Sequence, residues 1–270
     1  MRLGYIDYLN CYPFYYHMME KEPLANVALH PAYPSELNRM MASGELDMSP
    51  ISSAAYASFQ DEAAVLPDFC LSSIGYVRSV ILTSRLPIEE LDGRPLGLSS
   101  ASQTSVVLLK ILLEKYYGLR PLYLPTSPSP SLEDIDAALV IGNEALLAMK
   151  EPVPYVYDLG DLWLRKTGHP VVFAIFTVRK ECISTGMPAI REIIGSYKRS
   201  LLCLRTERGK LIENARRRYP DIHYDIDTYY DLLKFEFTHD LKAALEFYYR
   251  EAAALGLLAP VKKLNFLAGG

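Results

Sequence analysis

Residues 171–178 read VVFAIFTV, a continuous run of β-branched, aromatic and small apolar residues that favours a strand buried on both faces. A second such run, SVILT, occupies residues 79–83. About 90 residues separate the two runs, which is enough chain for a small lobe. We therefore expect two lobes with a cleft between them. Lobe I comprises residues 1–83 and 177–270, and lobe II comprises residues 84–176.

Outward from these two strands, short apolar runs alternate with helical segments, a pattern typical of an α/β protein with a parallel sheet. The expected strands are 2–7, 26–32, 46–51, 95–98, 122–124, 137–141 and 156–158. Helices are expected from Pro34 to Gly44 and from Ser102 to Tyr117, the second apolar on nearly all sides. From Pro188 onward, apolar residues recur at helical spacing and predict helices that supply core.

The composition excludes several classes of function. Half of the 270 residues are hydrophobic, 22% are charged, and the net charge is -4. A packed core is expected, and disorder is not. The mild acidity, with no basic cluster longer than Arg216 to Arg218, argues against a nucleic-acid partner.

The sequence contains neither a stretch typical of a membrane-spanning helix nor the pattern of a secretion signal. Nowhere do about 18 consecutive apolar residues occur, and the N-terminus lacks a charged leader followed by an apolar stretch. We expect a cytoplasmic protein with no membrane partner. The four cysteines, which are far apart and form no CxxC pair, are expected to be buried thiols: Cys11, Cys70, Cys182 and Cys203.

Familiar catalytic motifs do not occur. The five histidines are isolated, and there is no HExxH, no GxSxG, no phosphate-binding GxxxxGK[ST] loop and no Gly-rich dinucleotide motif. This pattern disfavours metal, nucleotide and serine-nucleophile chemistry.

Small polar residues instead recur where an apolar strand gives way to a helix. The four clusters are Tyr8-Leu9-Asn10, Ser52-Ser53, the segment 99–105 and Gly142-Asn143-Glu144. In open α/β sheets, ligands bind beyond the carboxyl ends of strands, where helix N-termini present free N–H groups. If the four clusters converge, they suit an anion such as a carboxylate. Any single cluster taken alone is better explained by helix capping, and only the four together favour a binding site. Arg78 could contribute to that site or could equally be a solvated charge at a strand end.

Several motifs, in order through residues 1–180, resemble the menaquinone-biosynthetic chorismate dehydratases of the futalosine pathway. They are GYIDYLNCYP at 4–13, GELD at 44–47, SSIG at 72–75 with Ser79-Val80, SQTS at 102–105, ALVIG at 138–142, and DLG at 158–160 with Trp163 and Thr167-Gly168. The resemblance implies a two-lobed α/β fold of the periplasmic-binding-protein type II, used inside the cell as an enzyme. Two positions depart from the family pattern, which has Arg at Gln103 and Asp at Asn143. If the family's Arg and Asp pair with each other, losing both has no effect on function. If they do not, the two changes alter which ligand is bound.

The implied activity is that of a carbon-oxygen lyase, which converts chorismate to 3-[(1-carboxyvinyl)oxy]benzoate and water without a cofactor or metal. Asn10 is the expected catalytic residue. The expected substrate-binding residues are Ser52, Ser79, Ser102, Gln103, Thr104, Ser105 and Asn143. No general base is evident, so we hypothesise that the substrate's own enolpyruvyl carboxylate takes the proton while Asn10 orients that carboxylate or the leaving hydroxyl.

Two alternatives remain open at this point. One is the sister enzyme of the pathway, which releases 1,4-dihydroxy-6-naphthoate; the opening Tyr8-Leu9-Asn10 and the Ser102 to Ser105 segment fit the dehydratase better. The other is a non-catalytic cytosolic protein that binds a small carboxylate. In each case the partner is a small molecule, and the chain is a monomer or a homodimer. All three hypotheses require Asn10 and the Ser102 to Ser105 turn to share one cleft.

Overall fold

The computed structural model describes residues 1–147 and 153–268. The strands are β1 (Arg2–Ile6), β2 (Ala28–Ala32), β3 (Met48–Ser52), β4 (Ala63–Ser73), β5 (Val80–Ser84), β6 (Pro95–Ser99), β7 (Leu122–Thr126), β8 (Ala137–Ile141), β9 (Tyr155–Asp158), β10 (Val171–Arg179) and β11 (Leu233–Glu236). The helices are α1 (Tyr12–Glu20), α2 (Pro34–Ala42), α3 (Tyr56–Phe59), α4 (Gln103–Ile111), α5 (Gly142–Leu147), α6 (Leu159–Thr167), α7 (Ile183–Thr206), α8 (Arg208–Arg218), α9 (Ile226–Leu232) and α10 (His239–Ala254). Within the described ranges, no helix has the length and apolar character needed to cross a membrane.

The strands form two sheets, as the α/β pattern predicts. The first has six strands in the order β11-β4-β10-β3-β1-β2, and the second has five in the order β7-β6-β8-β5-β9. Both sheets are mixed rather than parallel throughout. β1 pairs in parallel with β2 and β3, whereas β10 runs antiparallel to both β3 and β4.

The division of the chain between the sheets differs from the expected one. Strand β5 pairs with β8 and β9 and belongs to the second sheet, whereas all of β10 belongs to the first. The expected boundaries at 83/84 and 176/177 therefore fall inside strands. The chain crosses between the sheets earlier, in the segment 74–79, and returns through α6 and the residues up to 170. Apolar character identifies a buried strand, but it does not show which sheet the strand joins.

Three further elements differ from the sequence-based expectation. Helix α1 is absent from the expected elements, and Pro13 lies in its first turn, where the missing N–H costs nothing. The strand β4 was not expected because Pro67 and Asp68 interrupt its apolar pattern; there its pairing with β10 shifts register. The expected helix from Ser102 to Tyr117 is α4 followed by a π-helical segment, Leu112–Tyr117.

The last long helix, α10, contacts both lobes. The Tyr249 hydroxyl donates to the Ser53 carbonyl in the first lobe at 2.7 Å. The Tyr248 hydroxyl donates to the Thr104 carbonyl in the second lobe at 3.2 Å, and Lys115 pairs with Glu251. The C-terminal helices therefore supply core, as their apolar stripes predict, and α10 also joins the two halves of the molecule.

Candidate active site

A cavity lies between the two sheets and draws its walls from both lobes. Its space is about 480 Å³, including the part open to solvent. Lobe I contributes Ile6, Tyr8, Asn10, Pro34, Ser52, Leu71, Phe173, Ala174 and Leu233, and the crossing segment and lobe II contribute Val77, Ser79, Val80, Ser102, Ser105, Ile141 and Gly142. Asn10 and the start of α4 thus share one hollow, as all three hypotheses require.

Asn10 lies in a tight turn between β1 and α1. The turn is closed by the N–H of Cys11, which donates to the Tyr8 carbonyl at 3.0 Å. Leu9 is held on both sides, since its N–H donates to Asn143 Oδ1 at 2.9 Å and its carbonyl accepts from the Tyr230 hydroxyl at 3.1 Å. The Asn10 side chain is 8% exposed, and its Oδ1 has no hydrogen-bond partner. A buried acceptor without a partner is costly, so this atom fits a role in binding a ligand.

Two serines face the same cavity with unpaired hydroxyls. Ser52 ends β3 and Ser79 precedes β5, and each is almost fully buried. Neither Oγ has a hydrogen-bond partner. The Ser52 backbone is fixed separately, because its N–H donates to Asn38 Oδ1 at 2.9 Å. With Asn10, these residues give the cavity three unpaired polar atoms from three different segments.

The N-terminus of α4 forms another part of the wall. Ser102 caps the helix by accepting from the Ser105 N–H at 3.3 Å, and its hydroxyl also lies 3.2 Å from the Ser105 hydroxyl. Both serines line the cavity. The first turn of a helix offers free N–H groups and partial positive charge, which favour an anion.

Three of the expected substrate-binding residues lie outside the cavity wall. Gln103 is exposed in a surface groove beside α2. Thr104 is buried, but its hydroxyl donates to the Phe173 carbonyl at 2.9 Å and accepts from the Ala54 N–H at 3.1 Å. Asn143 uses its Oδ1 for Leu9. Successive residues of a helix point about 100° apart, so only Ser102 and Ser105 of the SQTS segment face inward together.

Among the lining residues that the structure describes, Tyr8 is the one with an ionisable side chain. Its ring packs against Gly142, which has a φ of +63 and leaves no room for a Cβ. Burial and then the nearby Glu144 carboxylate raise the pKa of Tyr8 above its usual value. The phenol therefore remains neutral at physiological pH. The other tyrosines of the N-terminal segment are fully buried and do not line the cavity: Tyr5, Tyr12, Tyr15 and Tyr16.

Arg78 does not bring its charge to the cavity. Its guanidinium lies over the Tyr224 ring, 5.3 Å from the centroid.

The Arg78 backbone is held by Asp158. It has a φ of +68, and its N–H donates to Asp158 Oδ2 at 2.6 Å. Asp158 also accepts from the N–H groups of Val77 and Asp161. Burial raises the pKa of Asp158, while these backbone hydrogen bonds oppose that rise. Asp158 thus fixes the crossing segment that carries Ser79.

The wall therefore consists of hydroxyls, one carboxamide, backbone groups and apolar side chains. No Lys, Arg, His, Asp or Glu is among the lining residues that the structure describes. Across residues 1–147 and 153–268, no group of three His, Cys, Asp or Glu side chains is placed to hold a metal ion. Such a cavity can bind a polar ligand by hydrogen bonds and can position it, but its own side chains offer no strong base.

Two residues near the site were not anticipated from the sequence. Tyr229 and Tyr230 of α9 lie behind the turn that carries Asn10, and the Tyr230 hydroxyl holds Leu9. No motif distinguished them, because the chain contains 20 tyrosines and the C-terminal helices were expected to provide core alone.

Comparison with solved structures defines the class of fold. The structure of a protein from Archaeoglobus fulgidus is similar with a TM-score of 0.75 and 19% identity, over 95% of this chain and 98% of that one. The periplasmic aliphatic sulphonate binding protein SsuA from Escherichia coli gives a TM-score of 0.66 at 12% identity, over 100% of this chain and 94% of that one. The chain is thus a two-lobed α/β protein with a periplasmic-binding-protein-like fold, and the cavity between its lobes has a largely apolar wall that carries several hydroxyls and one carboxamide.

The sequence comparisons then give the family. A family profile described as menaquinone biosynthesis matches residues 1–254, and the chain belongs to this family. A chorismate dehydratase of Thermus thermophilus is 35% identical over 196 residues, which is 66% of this chain and 70% of the relative. A 1,4-dihydroxy-6-naphtoate synthase of the same organism is 22% identical over 274 residues, 99% of each chain. The resemblance seen in the sequence motifs is confirmed at the level of the family.

Proposed function

We propose that this chain is a chorismate dehydratase, a lyase that forms 3-[(1-carboxyvinyl)oxy]benzoate and water in the futalosine route to menaquinone. The observation that carries the proposal is the set of unpaired polar atoms on residues around one cavity: Tyr8 Oη, Asn10 Oδ1, Ser52 Oγ and Ser79 Oγ. Family membership and the 35% identity to a chorismate dehydratase support it. The proposal includes a cytoplasmic location and a reaction that needs no cofactor.

The chemistry suits a cavity whose described wall carries no strong base. The C3–H bond of chorismate is conjugated to the ring carboxylate through a double bond, so its electron pair can be delocalised as the proton leaves. That pair then forms the C3–C4 double bond while the C4–O bond breaks, and the ring becomes aromatic. The proton and the departing hydroxide combine as water. The protein must therefore orient the ring and stabilise developing charge.

The proton acceptor in this proposal is the enolpyruvyl carboxylate of the substrate. Over residues 1–147 and 153–268, the cavity wall includes no carboxylate or imidazole that could compete for the role. Asn10, whose buried carboxamide has a free Oδ1, orients this carboxylate or the leaving hydroxyl. Asn10 is accordingly the proposed catalytic residue.

Hydroxyls and helix N–H groups bind the substrate's carboxylates in this arrangement. Ser102 and Ser105 lie at the N-terminus of α4 and line the same cavity as Ser79 and Ser52. The proposal assigns substrate binding to these four serines. Gln103, Thr104 and Asn143 are left out of the set, because their side chains lie elsewhere or are already hydrogen-bonded.

The test is to incubate catalytic amounts of the protein with chorismate, without added metal or nucleotide, and to measure 3-[(1-carboxyvinyl)oxy]benzoate by liquid chromatography. Many equivalents of product per protein molecule support the proposal. Saturable binding of chorismate without product would indicate a binding protein. Release of 1,4-dihydroxy-6-naphthoate from the cyclised futalosine derivative, with no turnover of chorismate, would instead assign the chain to the sister activity.

A further inference from the structure

Helix α9, near the C-terminus, brings two adjacent tyrosines to the back of the Asn10 turn. The Tyr230 hydroxyl has a backbone partner, the Leu9 carbonyl at 3.1 Å. The Tyr229 hydroxyl is buried as well, with the residue 1% exposed, but it has no aligned hydrogen-bond partner. The two tyrosines therefore differ. The Tyr230 hydroxyl is hydrogen-bonded to the backbone, whereas the Tyr229 hydroxyl is unpaired.

The surroundings of the Tyr229 hydroxyl consist of site residues. Its polar neighbours are the side chains of Ser79 and Asn10, and burial raises the pKa of Tyr229 despite them. The phenol is therefore protonated and able to donate. Asn10 Oδ1 and Ser79 Oγ are themselves unpaired and line the cavity. Three buried polar groups thus lie close together beside the cavity, without well-aligned hydrogen bonds to one another.

An unpaired buried hydroxyl destabilises the folded state, and Phe at this position would avoid that cost. Local features that work against stability are concentrated at functional sites. Hydrogen bonds of a catalytic group are also often misaligned in the free protein and become aligned only when the substrate is bound. Tyr229 does not line the cavity, so any effect on the substrate passes through Asn10 and Ser79.

Resting on the dehydratase function proposed above, we infer that Tyr229 is a positioning residue, whose hydroxyl orients the Asn10 carboxamide and the Ser79 hydroxyl toward the bound substrate. Donation from Tyr229 to Asn10 Oδ1 leaves the Asn10 amide hydrogens free to meet an oxygen of the substrate. The α9 helix then has a role in the reaction besides packing, and the site draws on three separate parts of the chain.

The experiment compares Tyr229→Phe with Tyr16→Phe in the full-length protein. Tyr16 is a matched control because its hydroxyl is also buried and unpartnered, whereas its position in α1 is away from the cavity. Steady-state turnover of chorismate and thermal midpoints are measured for both. For Tyr229→Phe we expect kcat to fall about tenfold or more, with a thermal midpoint equal to or above that of the parent. Tyr16→Phe is expected to retain the parental kcat.

A double-mutant cycle with Asn10→Ala tests the route of the effect. If Tyr229 acts through Asn10, adding Tyr229→Phe to Asn10→Ala lowers kcat by much less than it does in the parent. Any one of three results overturns the inference. They are an unchanged kcat in Tyr229→Phe, an equal fall of kcat in Tyr16→Phe, and a fall of kcat in the double variant that equals the product of the two single falls. A parent protein that does not turn over chorismate removes the proposed function and this inference together, whereas an active parent with an unaffected Tyr229→Phe removes the inference alone.

Discussion

The Leu9 N–H and the Asn143 side chain join the two lobes directly, through a hydrogen bond of 2.9 Å from the backbone nitrogen to Oδ1. Leu9 belongs to the turn after β1 in the first lobe, and Asn143 belongs to α5 beside the second sheet. The bond spans the cleft next to Asn10. Its geometry therefore depends on how closely the lobes approach.

Asn143→Ala should weaken substrate binding without unfolding the protein. One hydrogen bond that stabilises the closed lobes contributes about 1 kcal/mol, so KM should rise roughly fivefold. Steady-state kinetics with chorismate measures the effect. Asn143→Asp retains an acceptor for the Leu9 N–H and serves as the matched control, with KM close to that of the parent. An unchanged KM in Asn143→Ala would show that this bond does not govern closure.

Asn10→Ala should lower kcat by about 100-fold, as the loss of one well-placed polar group in an active site does. Because Oδ1 has no partner in the fold, the thermal midpoint should stay close to that of the parent. Asn26→Ala, at an exposed position, is the control for the same chemical change. Near-normal turnover in Asn10→Ala would remove Asn10 from the mechanism.

Thr104→Val should lower the stability of the fold and should leave substrate binding unchanged. The hydroxyl links α4 to the first lobe through Phe173 and Ala54, and its loss leaves a buried carbonyl and a buried N–H unpaired. The expected decrease in the free energy of unfolding is about 1–3 kcal/mol. Urea denaturation measures it. Ser105→Ala provides the contrast, since its main effect should be a raised KM with little change in the free energy of unfolding. If instead Thr104→Val raised KM and left stability unchanged, Thr104 would be a substrate-binding residue.

The pH profile of kcat should be flat from about pH 6 to pH 9. A catalytic His with its usual pKa, or a carboxyl group with a strongly raised pKa, would titrate in this range. Tyr8 is the ionisable side chain of the described wall, and its neighbours are Glu144, Tyr33 and Cys11. Its pKa is raised, so the phenol stays protonated through this whole range and loses its proton only above it. Initial rates in a constant-ionic-strength buffer series measure the profile. A clear inflection near neutrality would reveal a protein base.

Gly142→Ala should inactivate the site through Tyr8. Gly142 has a φ of +63, and an added Cβ would overlap the Tyr8 ring. Gly118 has a comparable φ of +71 with no atom within 4 Å of an added Cβ, so Gly118→Ala isolates the backbone strain. Gly118→Ala should lose about 1–2 kcal/mol of stability from backbone strain. Gly142→Ala should lose more, because of the added overlap with the Tyr8 ring, and only this variant should lose turnover. Equal activity in the two variants would show that the Tyr8 ring position is unimportant.

Much of the fold is predictable from the sequence because buried strands and amphipathic helices have distinct periodicities. The runs at 79–83 and 171–178 are the strands β5 and β10, and Ser102 caps α4 as expected. Sheet membership is not predictable in this way, since it depends on contacts between distant segments. β4 was missed because Pro67 and Asp68 lie at its bulge.

The site was partly predictable for a related reason. Asn10 and Ser52 lie at or after the carboxyl ends of strands, where a ligand-facing position is expected from topology. Ser79 precedes β5 and was expected only from the family resemblance. Within α4, however, the direction of each side chain depends on the helical turn, which separates Ser102 and Ser105 from Gln103 and Thr104. Tyr229 comes from a helix far along the chain, and only the folded arrangement places it beside Asn10.

The second sheet is built from one uninterrupted stretch, β5 to β9, whereas the first needs β1 to β4 together with β10 and β11. During synthesis, the five-stranded sheet has all of its strands once Asp158 has left the ribosome. The six-stranded sheet waits until Glu236 has emerged. Because domains generally fold as units while the chain is being made, the inserted lobe is expected to fold first, and the N-terminal strands complete their sheet only around it. The turn that carries Asn10, although among the earliest residues made, is thus expected to be among the last parts of the chain to reach its final geometry.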